Sequence, residues 1–416
     1  MAGGFMKRFV VLLLFVACSA FSDIYTVNVL TDGVDANPGD GICEQTVGMG
    51  DCTLRAAITE ANIRVGFDEI HLGAGTHLLT LPGVENANVS GDFDVIDAGL
   101  AISGVGIDDT IIDANYTNRI FEVSSGGFFS LSYLTVTRGY AHTATEFTGG
   151  GVNAGGNGTN VVIDHVSFID NIANAGGGID ISFDGEISIS YSLFDSNKNE
   201  DLGFTNRDGP AIYCNACVIV NINSSTFTEN NQGPKAIVLH GGEIKVINST
   251  FSNNEGGGIY TQNANGLIKF TTFYNDSFTG QNLSHYSFDH SHVMSVENSI
   301  LYIDSMLNMN CQNGADMPVS LGGNIVSDSS CSFTQAGDLQ NTDALLLPLK
   351  DNGGITMTHM PGNMSPAVDT ISVINCTDLL GSTLLYDQRG TSRPINSSCD
   401  AGSVESDLIF IDGFEL

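Results

Sequence analysis

Between residues 166 and 276 short apolar runs recur at a nearly regular interval, each followed by a small residue, a phenylalanine and a polar corner. The β-branched runs are 161–163, 187–189, 218–220, 244–246 and 267–270, and the phenylalanines are Phe168, Phe194, Phe227, Phe251 and Phe273. The steps between these rings are 26, 33, 24 and 22 residues. The runs are too short for helices and lack a 3.6-residue stripe, so they predict strands. One such turn has too little apolar surface to fold alone, but stacked turns share a continuous core. A period in the low twenties with insertions at some turns is the mark of a solenoid. The pattern predicts a right-handed parallel β-helix, with the phenylalanines in one column, from Asp92 to Asp343.

The polar positions sharpen this picture. Glycine is abundant, with 49 residues, and it and asparagine gather between the strands, where left-handed backbone is expected. Asparagines repeated at one corner can also pass side-chain amides from coil to coil. Upstream, residues 25–30 read as a first strand. In the segment CTLRAAITEANI, Leu54, Ala57, Ile58 and Ala61 share one helical face while Arg55, Thr59 and Glu60 turn elsewhere. Thr53 is placed as the N-cap. An open solenoid end exposes strands and core, so this amphipathic helix is expected to cap the first coil.

Residues 7–22, KRFVVLLLFVACSAFS, have two cations, an apolar stretch and small residues, which predicts a secretory signal cleaved after Ser22. A lipoprotein signal through Cys18 is the alternative, although Phe15 stands where leucine is usual. Translation from Met6 would leave this signal whole. No later stretch is long and apolar enough to span a bilayer as a helix. Removing Lys7 and Arg8 leaves 12 cations against 47 carboxylates, a net charge of −35. That excludes a nucleic-acid partner, whose phosphates need lysine and arginine, and disfavours unaided binding of acidic sugars. Without Cys18 eight cysteines remain, an even number in an exported chain, which predicts disulfides. Proximity suggests Cys43–Cys52, Cys214–Cys217, Cys311–Cys331 and Cys376–Cys399. Cys214 and Cys217 could also be read as a zinc or redox half-site, but no second ligand pair stands nearby.

Both ends carry family likenesses. DGIC at 40–43 followed by CTLRAAITEAN at 52–62 resembles the CSLREA segment near the start of many bacterial surface proteins, with Thr53 and Ala56 in place of the usual serine and glutamate. The blocks LPLKDNGGITMTH (347–359), SPAVD (365–369), DQRG (387–390), Arg393-Pro394 and CDAG (399–402) with Glu405 resemble the choice-of-anchor Q region, which joins a β-helix to a surface-attachment tail. The ending IFIDGFEL (409–416) resembles short IF-x-DGFE endings of exported proteins from some Gram-negative bacteria. These likenesses imply a cell-surface or secreted location and right-handed β-helix repeats between the two ends. The implied division is signal 1–22, N-terminal strand and cap 23–91, β-helix 92–343, anchor-Q-like region 344–405 and tail 406–416.

Candidate chemistry is sparse. Exported β-helices include pectin-degrading enzymes, in which clustered aspartates serve as acid and base beside His-Gly and Arg-x-Lys. Asp108, Asp109 and His240, with Glu243 and Lys245, resemble that set in order, but Arg-x-Lys is absent and the paired aspartates suit a turn. The acidic loop Asp32, Asp35, Asn37 and Asp40 offers hard oxygens for calcium, although Asx turns use the same residues. The run HYSFDHSH holds His285, His290 and His292 around Asp289; the last two histidines would share a face of a strand and could bind a transition metal. Tryptophan is absent, so sugar stacking would fall to tyrosine and phenylalanine. The reading adopted is an exported, non-enzymatic adhesin-like or structural β-helix. The alternatives are a polysaccharide lyase or glycoside hydrolase, and a carbohydrate- or metal-binding module without turnover.

Overall fold

Alternating apolar residues along short strands can be buried on one side only if the strands stack, and a computed structural model shows that stacking. It describes residues 22–406 apart from 65, 97–98, 125, 144, 202–207, 276–279, 305–307 and 313–315. The signal segment before Ser22 and the IFIDGFEL ending lie outside the described residues. The chain is a parallel β-helix: its two large sheets contain 19 and 9 strands, with parallel pairing between successive coils.

Each coil contributes to three ladders. The first runs from Ile24–Val27 and Asp68–Leu72 through Glu186–Ser190 and Ile219–Asn223 to Val319–Gly322. The second runs from Gly75–Leu78 through Leu193–Asp195 and Thr226–Thr228 to Ile325–Val326. The third comprises Phe93–Val95, Phe121–Val123, Val152–Ala154, Ile179–Ser182, Ile212–Asn215, Ile237–His240, Ile259–Gln262, Gln281–Tyr286 and Met309–Cys311. The stack begins earlier than residue 92, because Ile24–Val27 already pairs with Asp68–Leu72 and that strand pairs with Gly99–Ser103. At about 4.8 Å per step the eleven strands of the first ladder extend about 48 Å.

The phenylalanine column forms as expected. Phe168, Phe194, Phe227, Phe251 and Phe273 are register partners, and their rings stack with centroids 4.9, 4.8, 4.7 and 4.8 Å apart. Beside it Asn171, Asn197 and Asn230 each donate a side-chain amide to the next asparagine, ending at Asn254, over 2.9–3.0 Å. These asparagines also donate to carbonyls of the previous coil, so their role is hydrogen bonding between coils. Left-handed backbone falls on many glycines, such as Gly149, Gly176, Gly209 and Gly256, and on asparagines such as Asn248, Asn253 and Asn298, as expected; at the corner leading into the second ladder it also falls on Tyr133, His165, Tyr191, Ser224 and Phe270. That one corner therefore tolerates several residue types where its neighbours hold it, while glycine and asparagine serve most of the other left-handed positions.

The helix Leu54–Ile63 is capped by Thr53, whose side chain accepts from the Ala56 N–H at 3.0 Å, and it packs on Ile24–Val27, Asp68–Leu72 and Phe93–Val95. Its polar face departs from expectation. Arg55 and Glu60 are fully buried, because flanking loops wrap that face as well. Arg55 pairs with Asp32 and donates to the Gly91 and Asp92 carbonyls, while Glu60 accepts the Gly39 and Gly41 N–H groups. Polar partners replace water there, as buried charge requires.

All four expected disulfides are present: Cys43–Cys52, Cys214–Cys217, Cys311–Cys331 and Cys376–Cys399. Residues from 344 to 406 do not extend the stack. They lie against the outer side of the second ladder, where Thr226, Thr250, Ser252 and Thr272 meet Met357, Gln388, His359 and Ser403. Among the described residues no helix is long and apolar enough to cross a membrane.

Candidate functional site on the third ladder

Alternation within the third ladder gives an inner and an outer row. The inner row Phe93, Phe121, Val152, Ile179, Ile212, Ile237, Ile259 and Leu283 is buried throughout. The outer row is Asp94, Glu122, Asn153, Asp180, Tyr213, Val238, Tyr260 and Ser284, each the register partner of the next. A parallel row, Ser182, Asn215, His240, Gln262 and Tyr286, runs beside it. One outer face thus changes from carboxylates at its start to aromatic rings further along.

At the acidic end Arg119 is buried among carboxylates. Its Nε donates to Asp92 Oδ2 at 2.7 Å, Nη2 donates to Glu122 Oε2, and Nη2 lies 4.0 Å from Glu146 Oε1. Ligand oxygens of Asp92, Glu122 and Glu146 lie within 4.8 Å of one another, so this buried triad could hold a metal ion. Burial, reinforced by the Asp92 charge, pushes the Glu146 carboxyl up to about 7, against the pull of Arg119. Asp94 is likewise pushed up to about 7 by burial and then by Asp92. Asp180 rises to about 6 through burial, opposed by hydrogen bonds with Thr148 and Ser182.

At the other end Tyr260, Gln262, Tyr286, Phe288, His290, Gln312 and Asp316 line a cavity of about 580 Å³. The Tyr286 and Phe288 rings meet edge to face at 5.2 Å and are 44 % and 68 % exposed. Phe288 is carried by a turn after the strand Gln281–Tyr286, pinned where its N–H donates to Asn263 Oδ1 at 2.8 Å. His290 Nδ1 pairs with Asp316 Oδ1, which raises the imidazole and lowers the carboxyl relative to their ordinary values. Further back, Tyr213, His240 and Tyr260 follow one another edge to face. Exposed rings with a few convergent polar groups make a surface suited to a ligand that is apolar on one face and hydroxylated at its rim.

The sequence-predicted residues are placed elsewhere. Asp108 and Asp109 are exposed in the turn 107–109, between the first and second ladders. His240 ends a third-ladder strand four coils further on, about 19 Å along the stack. The structure therefore does not bring them together, and Lys245 pairs with Glu243 instead. The acidic loop is engaged in folding: Asp32 holds Arg55 and the Thr80 and Leu81 N–H groups, Asp35 accepts from Asn37 and Glu44, and Asp40 accepts from Ile42. Asn37 takes part through its backbone, its N–H donating to Asp35 and its carbonyl accepting the Asp40 N–H. The histidines diverge because 287–293 is a turn and loop and not a strand. His285 uses Nδ1 with Thr261 and Nε2 with the His292 carbonyl, and His290 turns to Asp316. The acidic triad escaped sequence reasoning because Glu146 arrives from a loop. A partial signal was the pair FDV (93–95) and FEV (121–123), whose alignment stacks Asp94 on Glu122 and so places the preceding Asp92 at the same end of the ladder.

No family model and no curated protein matches the chain. Among solved structures it is similar to pectate lyase Pel9A, with 11 % identity and a TM-score of 0.44 over 94 % of this chain and 98 % of that one. At that identity the likeness concerns overall shape and lends nothing to the chemistry of the site. Ladders and core define a parallel β-helix protein.

Proposed function

We propose that the chain is an exported, non-catalytic β-helix module of the cell surface or its surroundings, and that its third-ladder face holds an uncharged glycan. The observation that carries the glycan is the cavity at Tyr260, Tyr286 and Phe288, where exposed rings stand beside Gln262, Gln312 and the His290–Asp316 pair. Rings of this kind offer a sugar's C–H face a large rigid contact, and the amides and ion pair offer its hydroxyls partners. Preference for an uncharged glycan follows from a net charge of −33, which repels uronates. Export and attachment rest on the signal-like N-terminus and on the CSLREA-like and anchor-Q-like segments.

The sequence-predicted acid–base set cannot support turnover, because general acid–base catalysis needs its groups around one bond. Asp108 and Asp109 occupy one turn, and His240 stands on another ladder four coils away. The test uses the mature chain against a panel of neutral and acidic oligosaccharides, with reducing ends and unsaturated products followed in parallel. Binding to a neutral member, weakened at least tenfold by Phe288→Ala and without products, is expected. Products that vanish in Asp108→Asn or Asp109→Asn would replace this reading with the hydrolase or lyase one.

A further inference from the structure

The acidic end of the same face presents a problem that the glycan reading leaves unsolved. When all three are ionised, Asp92, Glu122 and Glu146 set three negative charges against one guanidinium, which leaves two uncompensated in a largely dry place. The Asp92 side chain is fully buried, Glu146 is 8 % exposed and Glu122 is 22 % exposed. Arg119 satisfies only part of this cluster. Asp92 Oδ1 and Glu146 Oε1 are buried and have no hydrogen-bond partner, Glu146 Oε1 lying 4.0 Å from the nearest guanidinium nitrogen. Buried carboxylate oxygens are rarely left so, since desolvating a charge without a partner is costly.

We propose that Asp92, Glu122 and Glu146 form a binding site for one calcium ion, with Arg119 as a built-in counter-charge at its edge. Oxygens within 4.8 Å of one another fit around an ion that takes ligands at about 2.3–2.6 Å. The donor set is carboxylate alone, without histidine or cysteine, which suits a hard cation and not zinc. One divalent ion also balances the formal charge of three carboxylates and one arginine. Asp92 and Glu122 belong to two successive coils, while Glu146 comes from the loop between the second and third ladders. The bound ion therefore ties that loop to the rod. This site is separate from the ring-lined cavity and does not depend on a glycan.

The test is calcium titration of the chelator-treated mature chain by calorimetry in 0.15 M salt, roughly a screening length of 8 Å, to suppress diffuse binding to the acidic surface. Unfolding temperature with and without calcium is read alongside. One saturable site and a rise of several degrees are expected. Glu146→Gln should keep the fold, with a chelated unfolding temperature no lower than wild type, while losing at least tenfold in calcium affinity. Asp40→Asn, in the acidic loop, should titrate like wild type. Absence of a saturable site in the wild type would overturn the proposal. So would an unchanged affinity in Glu146→Gln, a loss in Asp40→Asn, or magnesium binding as tightly as calcium.

Discussion

The two ends of the third ladder share parallel pairing and an inner row of buried apolar residues, yet their outer sides are opposites. At the start Asp94 and Asp180 are buried, and the half-buried Glu122 is paired with Arg119, which also reaches toward Glu146 of the neighbouring loop. At the far end Tyr286, in the neighbouring row, and Phe288, in the turn that follows it, stand open to solvent. Inward residues of a solenoid are tied to their neighbours by stacking, whereas an outward residue answers only to what covers it. A β-helix can thus vary the chemistry of its outer face coil by coil without altering its core. Buried charge makes one end a contributor to stability that depends on neutralisation. Exposed rings make the other nearly neutral for stability and available for binding.

The largest effects should separate charge from packing. Arg119→Met would leave three carboxylates without their counter-charge, and a loss of about 3–5 kcal/mol is expected. Phe227→Ala removes one ring from the central column and should also cost about 3–5 kcal/mol. Urea unfolding at two pH values distinguishes them: acid, which neutralises the carboxylates, should narrow the deficit of Arg119→Met and leave that of Phe227→Ala nearly unchanged. Equal behaviour of the two variants would mean that Arg119 acts through packing alone. Hydrogen exchange should place the Phe227→Ala damage in the adjoining coils, because solenoid stability is close to nearest-neighbour.

A smaller effect belongs to Asp180. Its carboxyl is pushed up to about 6, chiefly by burial. A folded-state value above the unfolded one means that the stability it contributes is present in full below about pH 4 and is lost as pH rises through about 6. Asp180→Asn should flatten that decline and, at pH 8, exceed the wild type by roughly 1–3 kcal/mol. An unaltered pH profile would show that Asp180 is solvated or fully paired. Smallest in stability is Phe288→Ala, expected within about 0.5 kcal/mol of wild type by the same unfolding measurement.

The legible part of the sequence was the part that repeats. The phenylalanine spacing set the register because a one-residue slip would turn each ring out of the core, and the disulfides followed from cysteines close in sequence. The helix cap was legible on its apolar face, but burial of Arg55 and Glu60 depended on loops closing from both sides. The outer row was harder to read, since Asp94 and Glu122 meet only after the Phe93 and Phe121 register is known. Glu146 belongs to no repeat at all. Asp108, Asp109 and His240 looked joined in sequence order, yet order along a solenoid becomes distance along its axis.

Hydrogen exchange of the mature chain with and without a bound oligosaccharide tests the functional account most directly. Slowed exchange at 259–262 and 281–292, with unaltered exchange at the turn 107–109 and an intact sugar recovered afterwards, is the predicted result. Protection at 107–109 with shortened sugar in the supernatant would contradict it.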